Sequence, residues 1–591
     1  MCGIFGYIGN RSNAKDIVFS GLKDLEYRGY DSWGVAIIPD NNKDAIIVKK
    51  RVGKIGNANV NNLPNGSLSI GHTRWATHGG VTEANAHPHL DCTGTIAVIH
   101  NGIFENYENV KKRLLQKGHK FVSETDTEVI PHMIEDFIKT KSFSESFRQT
   151  FNKMEGLNAV IAINSGKREI VAARNGSPLV IGFGKDENYL ASDASALIPY
   201  TKDVYFLEDY DMAILSENTV KVVDVKTGKV KKIKIQKINW NISQGEKGKF
   251  KYFMLKEIYE QSKMLREIAL NANKNVEKIS KIIKTSRGSY LVGCGSANYA
   301  AIAGTYLFSK VTKRHINSAI GSEFGYHLDF LNKDSAVIGI SQSGETIDIL
   351  ESIKKAKDRG AKIISLCNVL GSSLYRMSDE KVLIGAGPEK SVASTKALTG
   401  MIAQLILISY ALDGGIQEGQ KVLEKTVDSV RNVLTKNSVD CIKNLVKKIN
   451  DKKNIYVIGR GLSYPAALET AMKIKEISYI HAEGLAAGEL KHGPLALIEK
   501  GTPCIVFLPN DETYGANLAS AMEMKARGGF VVGISFKSHQ VFDYFIKVKD
   551  AGVGTIIPNI VVGQLLAYYL TIFKGFDPDK PRNLAKSVTV K

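Results

Sequence analysis

A cysteine at position 2, in the run Met1-Cys2-Gly3-Ile4-Phe5-Gly6, is the residue best placed for chemistry. Removal of Met1 makes Cys2 the first residue, so one amino acid carries both a thiol and a free α-amine. That amine has an unperturbed pKa of about 8, and near neutral pH part of it is free base. A thiol with its own base is an activated nucleophile. Four short motifs downstream supply the partners such a nucleophile needs: Glu26 to Ser32, Gly71 to Gly79, His100-Asn101-Gly102 and Glu124 to Glu128. Arg74 can grip a carboxylate with a planar fork. Asp126 can accept hydrogen bonds from an ammonium group. Asn101 and Gly102 can offer a side-chain amide and a backbone N–H to a developing oxyanion, each such donor being worth roughly 100- to 1,000-fold in rate. Carboxylate grip, ammonium acceptor, thiol and oxyanion donors together describe an amidase acting on a free amino acid. Each has a plainer reading: Arg74 and Asp126 as surface ion-pair members, Asn-Gly as a hairpin turn.

The second half carries a different set. Ser341-Gln342-Ser343-Gly344-Glu345-Thr346 follows an apolar run and precedes a helical pattern. Clustered hydroxyls, a glycine and helix N-terminal amides suit a phosphate, although Ser and Thr also favour plain helix caps. Val392 to Lys396 is a second hydroxyl-bearing loop entering a helix. Lys473 and Glu476 lie three apart, hence on one helical face, and a carboxylate there can move a proton beside a carbonyl. Lys586, in the tail Pro581 to Lys591, is a lysine suited to forming an imine with a ketose.

The elements that must position these residues can be read from the same chain. At 591 residues it is too long for one core, and about three domains are expected. Residues 1–238 alternate short strands, such as 96–100 and 159–163, with Gly/Asn turns. Residues 239–250 are polar and read as a linker. Helical patterns over 252–269 and 276–283 follow. Beyond them the chain repeats itself. Tyr290 to Ser296 and Ile455 to Ser463 are each a strand running into a Gly-x-Gly turn and an Ala-rich helix. Strands 336–340 and 503–508 each lead to a helix ending at Arg-Gly, then to strands 362–366 and 530–535. This rhythm predicts two tandem βαβ units with parallel sheets, over 251–440 and 441–580, with ligands beyond the carboxyl ends of the strands.

Composition narrows the class. The hydrophobic fraction of 43% is that of a globular protein. No apolar stretch is expected to be long enough to span a membrane, no signal peptide is visible, and a cytoplasmic enzyme is expected. The net charge of +19 is spread along the chain without a basic tail, which favours a phosphorylated substrate over nucleic acid. The six cysteines form no Cys-x-x-Cys pair and the twelve histidines no His-Glu-x-x-His, so neither a disulfide framework nor a metal site is indicated. His72, His78, His87 and His89 cluster without ligand spacing.

With Cys2, the four motifs of residues 1–238 resemble the glutaminase domain of the N-terminal-nucleophile glutamine amidotransferases, and residues 285–591 resemble two sugar isomerase domains. The whole chain is similar to the family of isomerizing, glutamine-dependent aminotransferases of fructose 6-phosphate. That resemblance implies a four-layer α/β/β/α sandwich followed by the tandem isomerase domains, with the tail 581–591 entering the sugar site. It implies Cys2 as nucleophile and its α-amine as base, Asn101 and Gly102 as oxyanion hole, and Arg74, Thr77, His78 and Asp126 on glutamine. Trp75 would gate the passage of ammonia. Ser296, Ser341, Gln342, Ser343, Thr346, Val392, Ser394 and Ala585 would hold the sugar phosphate. Glu476 would move a proton between C1 and C2, with Lys473 assisting. Lys586 would form the imine, and His492, from a neighbouring subunit of a homodimer, would help open the ring. The product implied is glucosamine 6-phosphate, with no metal or organic cofactor.

The chain departs from that pattern at Cys294-Gly295-Ser296-Ala297, at Glu389-Lys390-Ser391-Val392 and at Ser262. The first two fall in the expected sugar-phosphate loops and leave the ketose phosphate open. A phosphoribosyl-type amidotransferase would need a phosphoribosyltransferase loop, and none is visible. A sugar-phosphate-sensing protein without catalysis is opposed by intact Cys2, Glu476 and Lys586.

Overall fold

The computed structural model describes residues 2–42, 44–238, 247–272 and 274–589. The expected linker 239–250 falls largely outside them. The chain divides into two compact units, Met1–Glu246 with Ala585–Lys591, and Lys247–Leu584.

The first unit is built on two antiparallel sheets. One has eight strands in the order Gln236–Lys237, Asp203–Phe206, Val180–Phe183, Glu187–Ala191, Gly3–Gly9, Leu68–Arg74, Ser32–Ile38 and Ile47–Val52. The other has six: Val220–Asp224, Asp211–Leu215, Lys167–Asn175, Asn158–Asn164, Ile96–Gly102 and His89–Leu90. The strand Gly3–Gly9 is buried on both faces because it is central in a sheet covered on both sides. Ile4 and Ile8 face Ile99, Ile161 and Ile163 of the other sheet in the inner core. Phe5 and Tyr7, pointing the opposite way as strand periodicity requires, pack under the helix Ala14–Leu25 with its Ile17, Val18, Leu22 and Leu25. The helices Tyr107–Gln116, Val129–Ile138 and Phe143–Asn152 cover the outer face of the six-stranded sheet through Val110, Ile130, Ile134, Phe147 and Phe151. Three cores between four layers give the expected α/β/β/α sandwich.

The second unit contains the repeat. Its first parallel sheet runs Asn317–Ile320, Gly288–Gly293, Ser335–Ser341, Lys362–Cys367, Glu380–Leu383, and its second His481–Ala486, Asn454–Gly459, Pro503–Leu508, Phe530–Ser535, Tyr544–Lys547. Numbered within each sheet by chain order, both read 2-1-3-4-5. The order reverses between strands 1 and 3, which opens a crevice at their carboxyl ends. In the first sheet that crevice is flanked by Cys294 to Ser296 and by Ser341 to Thr346. The helices on one side of both sheets share a single hydrophobic cluster running from Met254 to Leu570, while each outer face has its own smaller core.

One expectation is corrected. The segment Gly552–Phe573 is long and apolar enough to cross a membrane, with a mean hydropathy of 1.7. In the fold 83% of its apolar window is buried inside the protein, and its helical part Ile556–Phe573 packs along the helix Ser463–Ser478. A helix apolar all round is what a central core position requires.

Candidate active sites

In the first unit, the ends of the two sheets bring the sequence-identified residues together. Cys2 immediately precedes the strand Gly3–Gly9, whose neighbour ends at Arg74, with Gly3 opposite Thr73. The Cys2 Sγ accepts the Trp75 N–H at 3.3 Å and lies 3.5 Å from the Trp75 carbonyl. Burial pushes the thiol pKa up, and the weaker influences of the Trp75 N–H, Arg74 and Arg28 do not reverse this. A thiol so placed would need a base to act as a nucleophile.

Asn101 and Gly102 are not a hairpin turn. They are the last two residues of the strand Ile96–Gly102 in the opposite sheet. Asn101 Nδ2 donates to the Cys2 carbonyl at 3.0 Å, and its Oδ1 accepts from His72 Nε2 at 3.0 Å. The same His72 nitrogen lies 3.0 Å from the His100 carbonyl. With both partners acceptors, Nε2 carries the proton. Burial holds the imidazole neutral, its pKa lowered to about 3. His72 thus fixes the Asn101 amide with its NH2 towards Cys2, and one of the two N–H groups remains for an incoming oxyanion. Gly102 has φ 137°, and a Cβ there would meet the Leu157 carbonyl at 2.2 Å, so only glycine fits.

Arg74 and Asp126 are both buried. The Arg74 guanidinium donates to the carbonyls of His78, Gly79 and Gly80 and so shapes the loop that carries Thr77 and His78. Its Nε–H and second Nη1–H have no partner among the described residues and can meet a carboxylate. Asp126 Oδ2 accepts the Phe104 N–H at 2.8 Å. His72 escaped the sequence reading as a positioning residue. The signal was its place two residues before Arg74, on the same face of one strand. In the interior His72 stacks on His87, and His89 meets His87 edge-on.

In the second unit, Ser341 to Thr346 fills the expected loop. Gly344 N–H donates to Ser341 Oγ at 3.0 Å, Glu345 N–H to Ser343 Oγ at 3.1 Å, and Ser341 Oγ lies 3.3 Å from Thr346 Oγ1. Thr346 is the N-cap of the helix Ile347–Asp358, but its side chain makes no capping bond. The hydroxyls therefore gather in the loop ahead of the helix N-terminus, where an anion is favoured. Gln342 lends its carbonyl to the Asn368 N–H. The second loop is held by carboxylates. Glu389 accepts from the Thr395 and Ala397 N–H groups at the start of the helix Lys396–Leu412, while Glu257 receives the Ser391 hydroxyl and N–H. Ser394 Oγ donates to Glu389 at 3.4 Å and the Val392 N–H to the Asp579 carbonyl. The departure at 389–392 thus supplies a helix cap.

The Lys473–Glu476 pair is a triad. Lys473 is fully buried, with Glu476 in direct contact on one side and Glu469 Oε1 at 3.3 Å on the other. Burial works to lower the lysine pKa, but the two carboxylates outweigh it and raise it. Burial also raises Glu469, to about 7. Ser296, at the start of the helix Ser296–Thr312 from the first repeat, donates to Glu469 Oε1 at 3.2 Å, which links the two repeats at this point. Glu469 was missed in the sequence although 469, 473 and 476 share one helical face. His492 is exposed on a short 3-10 turn, Glu489–His492. Arg582, stacked over Tyr479 at 4.1 Å, leads into the tail, and Ala585 and Lys586 belong to the segment grouped with the first unit.

Known proteins resemble the chain in the same two parts. A family model described as "Glutamine amidotransferase domain" matches residues 72–199, and one described as "SIS domain" matches residues 282–412 and 448–542. The chain is 42% identical to the glutamine–fructose-6-phosphate aminotransferase (isomerizing) of Pyrococcus horikoshii and 39% identical to that of Thermus thermophilus, with 100% of each chain covered in both cases. The solved C-terminal domain of glucosamine-fructose-6-phosphate aminotransferase from Francisella tularensis is 34% identical, covers 56% of this chain and 99% of its own, and superimposes with a TM-score of 0.53.

Proposed function

The chain belongs to the family of isomerizing glutamine–fructose-6-phosphate aminotransferases, and on that premise we propose how its residues divide the work. It is an enzyme that makes glucosamine 6-phosphate and glutamate from fructose 6-phosphate and glutamine. In the first unit, Arg74 takes the α-carboxylate of glutamine and Asp126 its ammonium group, with Thr77 and His78 completing the pocket. The Cys2 sulfur attacks the side-chain amide carbon, and the thiol proton passes to the Cys2 α-amine once Met1 is removed. The oxyanion is received by Asn101 Nδ2 and the Gly102 N–H. The C–N bond then breaks, ammonia leaves with the proton, and water releases glutamate from the thioester. Ammonia travels internally past Trp75.

For the sugar, Ser341, Gln342, Ser343 and Thr346 hold the phosphate, with Ser296, Val392, Ser394 and Ala585 around the remainder. Once His492 of a second copy in a cytoplasmic homodimer has helped open the ring, Lys586 adds to the C2 carbonyl and water leaves. Ammonia displaces the lysine amine. Glu476 takes a proton from C1 and returns one to C2, giving the 2-amino aldose, with Lys473 orienting its carboxylate. Lys473 buried between Glu469 and Glu476 carries this half of the reading, because so costly a grouping suits proton movement better than packing.

Two variants test the division. Cys2→Ala is expected to abolish glutamine-dependent synthesis. Glu476→Gln, nearly isosteric but unable to accept a proton, should lose synthesis by roughly 100- to 10,000-fold while keeping glutamine hydrolysis. Normal amino-sugar production by Glu476→Gln would remove the base from the mechanism.

A further inference from the structure

The sandwich contains a cluster that the amidase chemistry does not use. Cys92 follows the short strand His89–Leu90, His119 lies just beyond the helix Tyr107–Gln116, and His132 and Glu135 sit one turn apart on the helix Val129–Ile138. Their ligand atoms converge. Cys92 Sγ is 3.7 Å from His119 Nδ1 and 3.4 Å from His132 Nδ1. The two Nδ1 atoms are 3.3 Å apart, and Glu135 Oε2 is 3.1 and 3.3 Å from them. All four atoms lie within 4.8 Å of one another.

Those five distances are close to the edges of a tetrahedron of metal ligands. Zinc bonds of about 2.3 Å to sulfur and about 2.05 Å to nitrogen or oxygen put two nitrogens about 3.3 Å apart, and sulfur about 3.6 Å from nitrogen. Hydrogen bonding alone does not satisfy the group. His132 Nε2 is buried, has no hydrogen-bond partner among the described residues and faces Glu128 Oε1 at 3.9 Å. A proton on Nε2 is favoured towards that carboxylate, which leaves Nδ1 as a lone pair. That lone pair faces the spot on which Cys92 Sγ, His119 Nδ1 and Glu135 Oε2 also converge. A carboxylate behind a histidine is also the usual second layer of a metal site. The Lys120 N–H donates to Cys92 Sγ at 3.4 Å and holds the sulfur in place.

We propose that Cys92, His119, His132 and Glu135 bind one structural zinc ion. One sulfur, two imidazoles and one carboxylate with four protein ligands suit zinc in a closed, non-catalytic site. Binding needs the Cys92 thiol deprotonated, and that proton goes to solvent. The ion ties together three elements that touch the outer edge of the six-stranded sheet. It also anchors both ends of the stretch from His119 to His132, which carries Asp126. Metal loading therefore supports glutamine binding, a corollary that rests on the proposed role of Asp126.

The test uses the full chain in a Cys2→Ala background, which keeps the nucleophile out of the metal count. Elemental analysis after purification without chelator should find about one zinc per chain. Replacement by cobalt should give tetrahedral d–d bands and a thiolate charge-transfer band. Cys92→Ser, on an exposed loop residue, should lose both the band and the stoichiometric zinc, and chelator should lower the melting temperature of the parent but not of this variant. Failure of metal-stripped protein to take up micromolar zinc, or an unchanged cobalt spectrum in Cys92→Ser, overturns the site. The glutamine KM is measured separately with Cys2 intact. Zinc binding with no rise in that KM on stripping upholds the metal site and overturns only the coupling to glutamine binding.

Discussion

A single imidazole decides how well the amidase half can work. His72 touches no substrate in the proposed mechanism; it holds the Asn101 amide by its oxygen. His72→Ala is expected to lower kcat for glutamine hydrolysis by up to about 100-fold, short of the full value of an oxyanion donor, with little change in KM. His72→Gln, whose amide N–H can replace Nε2–H, should recover part of the loss. A fall in KM-dependent rate alone, with kcat intact, would make the residue structural. Cys2, Asn101, Gly102 and Arg74, on which the proposed mechanism rests, could be picked out in the sequence because each belongs to a contiguous motif with a recognisable chemistry. His72 and Glu469 could not be, because their roles depend on what a neighbouring strand or helix turns towards them. The Cys92, His119, His132 and Glu135 cluster was hidden for a stronger reason: its ligands come from three separate elements with no short spacing to read.

Elements were more legible than partnerships between them. Strands 290–292, 336–340, 362–366 and their counterparts in the second repeat fall within observed strands, since continuous apolar runs bounded by glycine suit buried parallel sheet. Asn-Gly at 101–102 shows the limit of local turn chemistry: tertiary pairing with Asn158 and Ala159 makes it a strand end. The loop Ser341 to Thr346, the proposed phosphate site, offers a test at this scale. Gly344 has φ 65°, and a Cβ there would lie 2.1 Å from Ser372 Oγ. Gly344→Ala must both strain the backbone and push the Ser372 side chain aside. It is expected to raise the KM for fructose 6-phosphate at least about 10-fold while glutamine hydrolysis is unchanged, as read by separate assays of the two half-reactions. Equal effects on both would show that the loop serves general stability.

Across the whole molecule, the two units should answer acid in opposite directions. In the first, His72, His87 and His89 are kept neutral by burial, with pKa values below the usual 6.5. The unfolded chain binds more protons there, so stability is lost as pH falls below about 6.5. In the second, Glu469 titrates near 7 instead of 4.5, the folded form binds more protons, and stability falls as pH rises between those values. Hydrogen exchange read by mass spectrometry at pH 5 and pH 7, corrected for intrinsic rates, should show the sandwich loosening and the parallel sheets tightening at the lower pH. Glu469→Gln should remove the second trend and leave the first.

The place of the strand Gly3–Gly9 also bears on how the enzyme comes into being. Its two sheet neighbours, Leu68–Arg74 and Glu187–Ala191, both follow it in the chain, the second by far the later. At a translation rate of about 5–20 residues per second, the later neighbour leaves the ribosome roughly 10–40 s after the opening residues. Until then the beginning of the chain has no sheet to enter. On the proposed mechanism, an aminopeptidase that removes Met1 has that interval in which to find an extended, unpaired substrate, before the strand is clamped on both sides and the state of the thiol becomes a settled matter of the nascent chain's history.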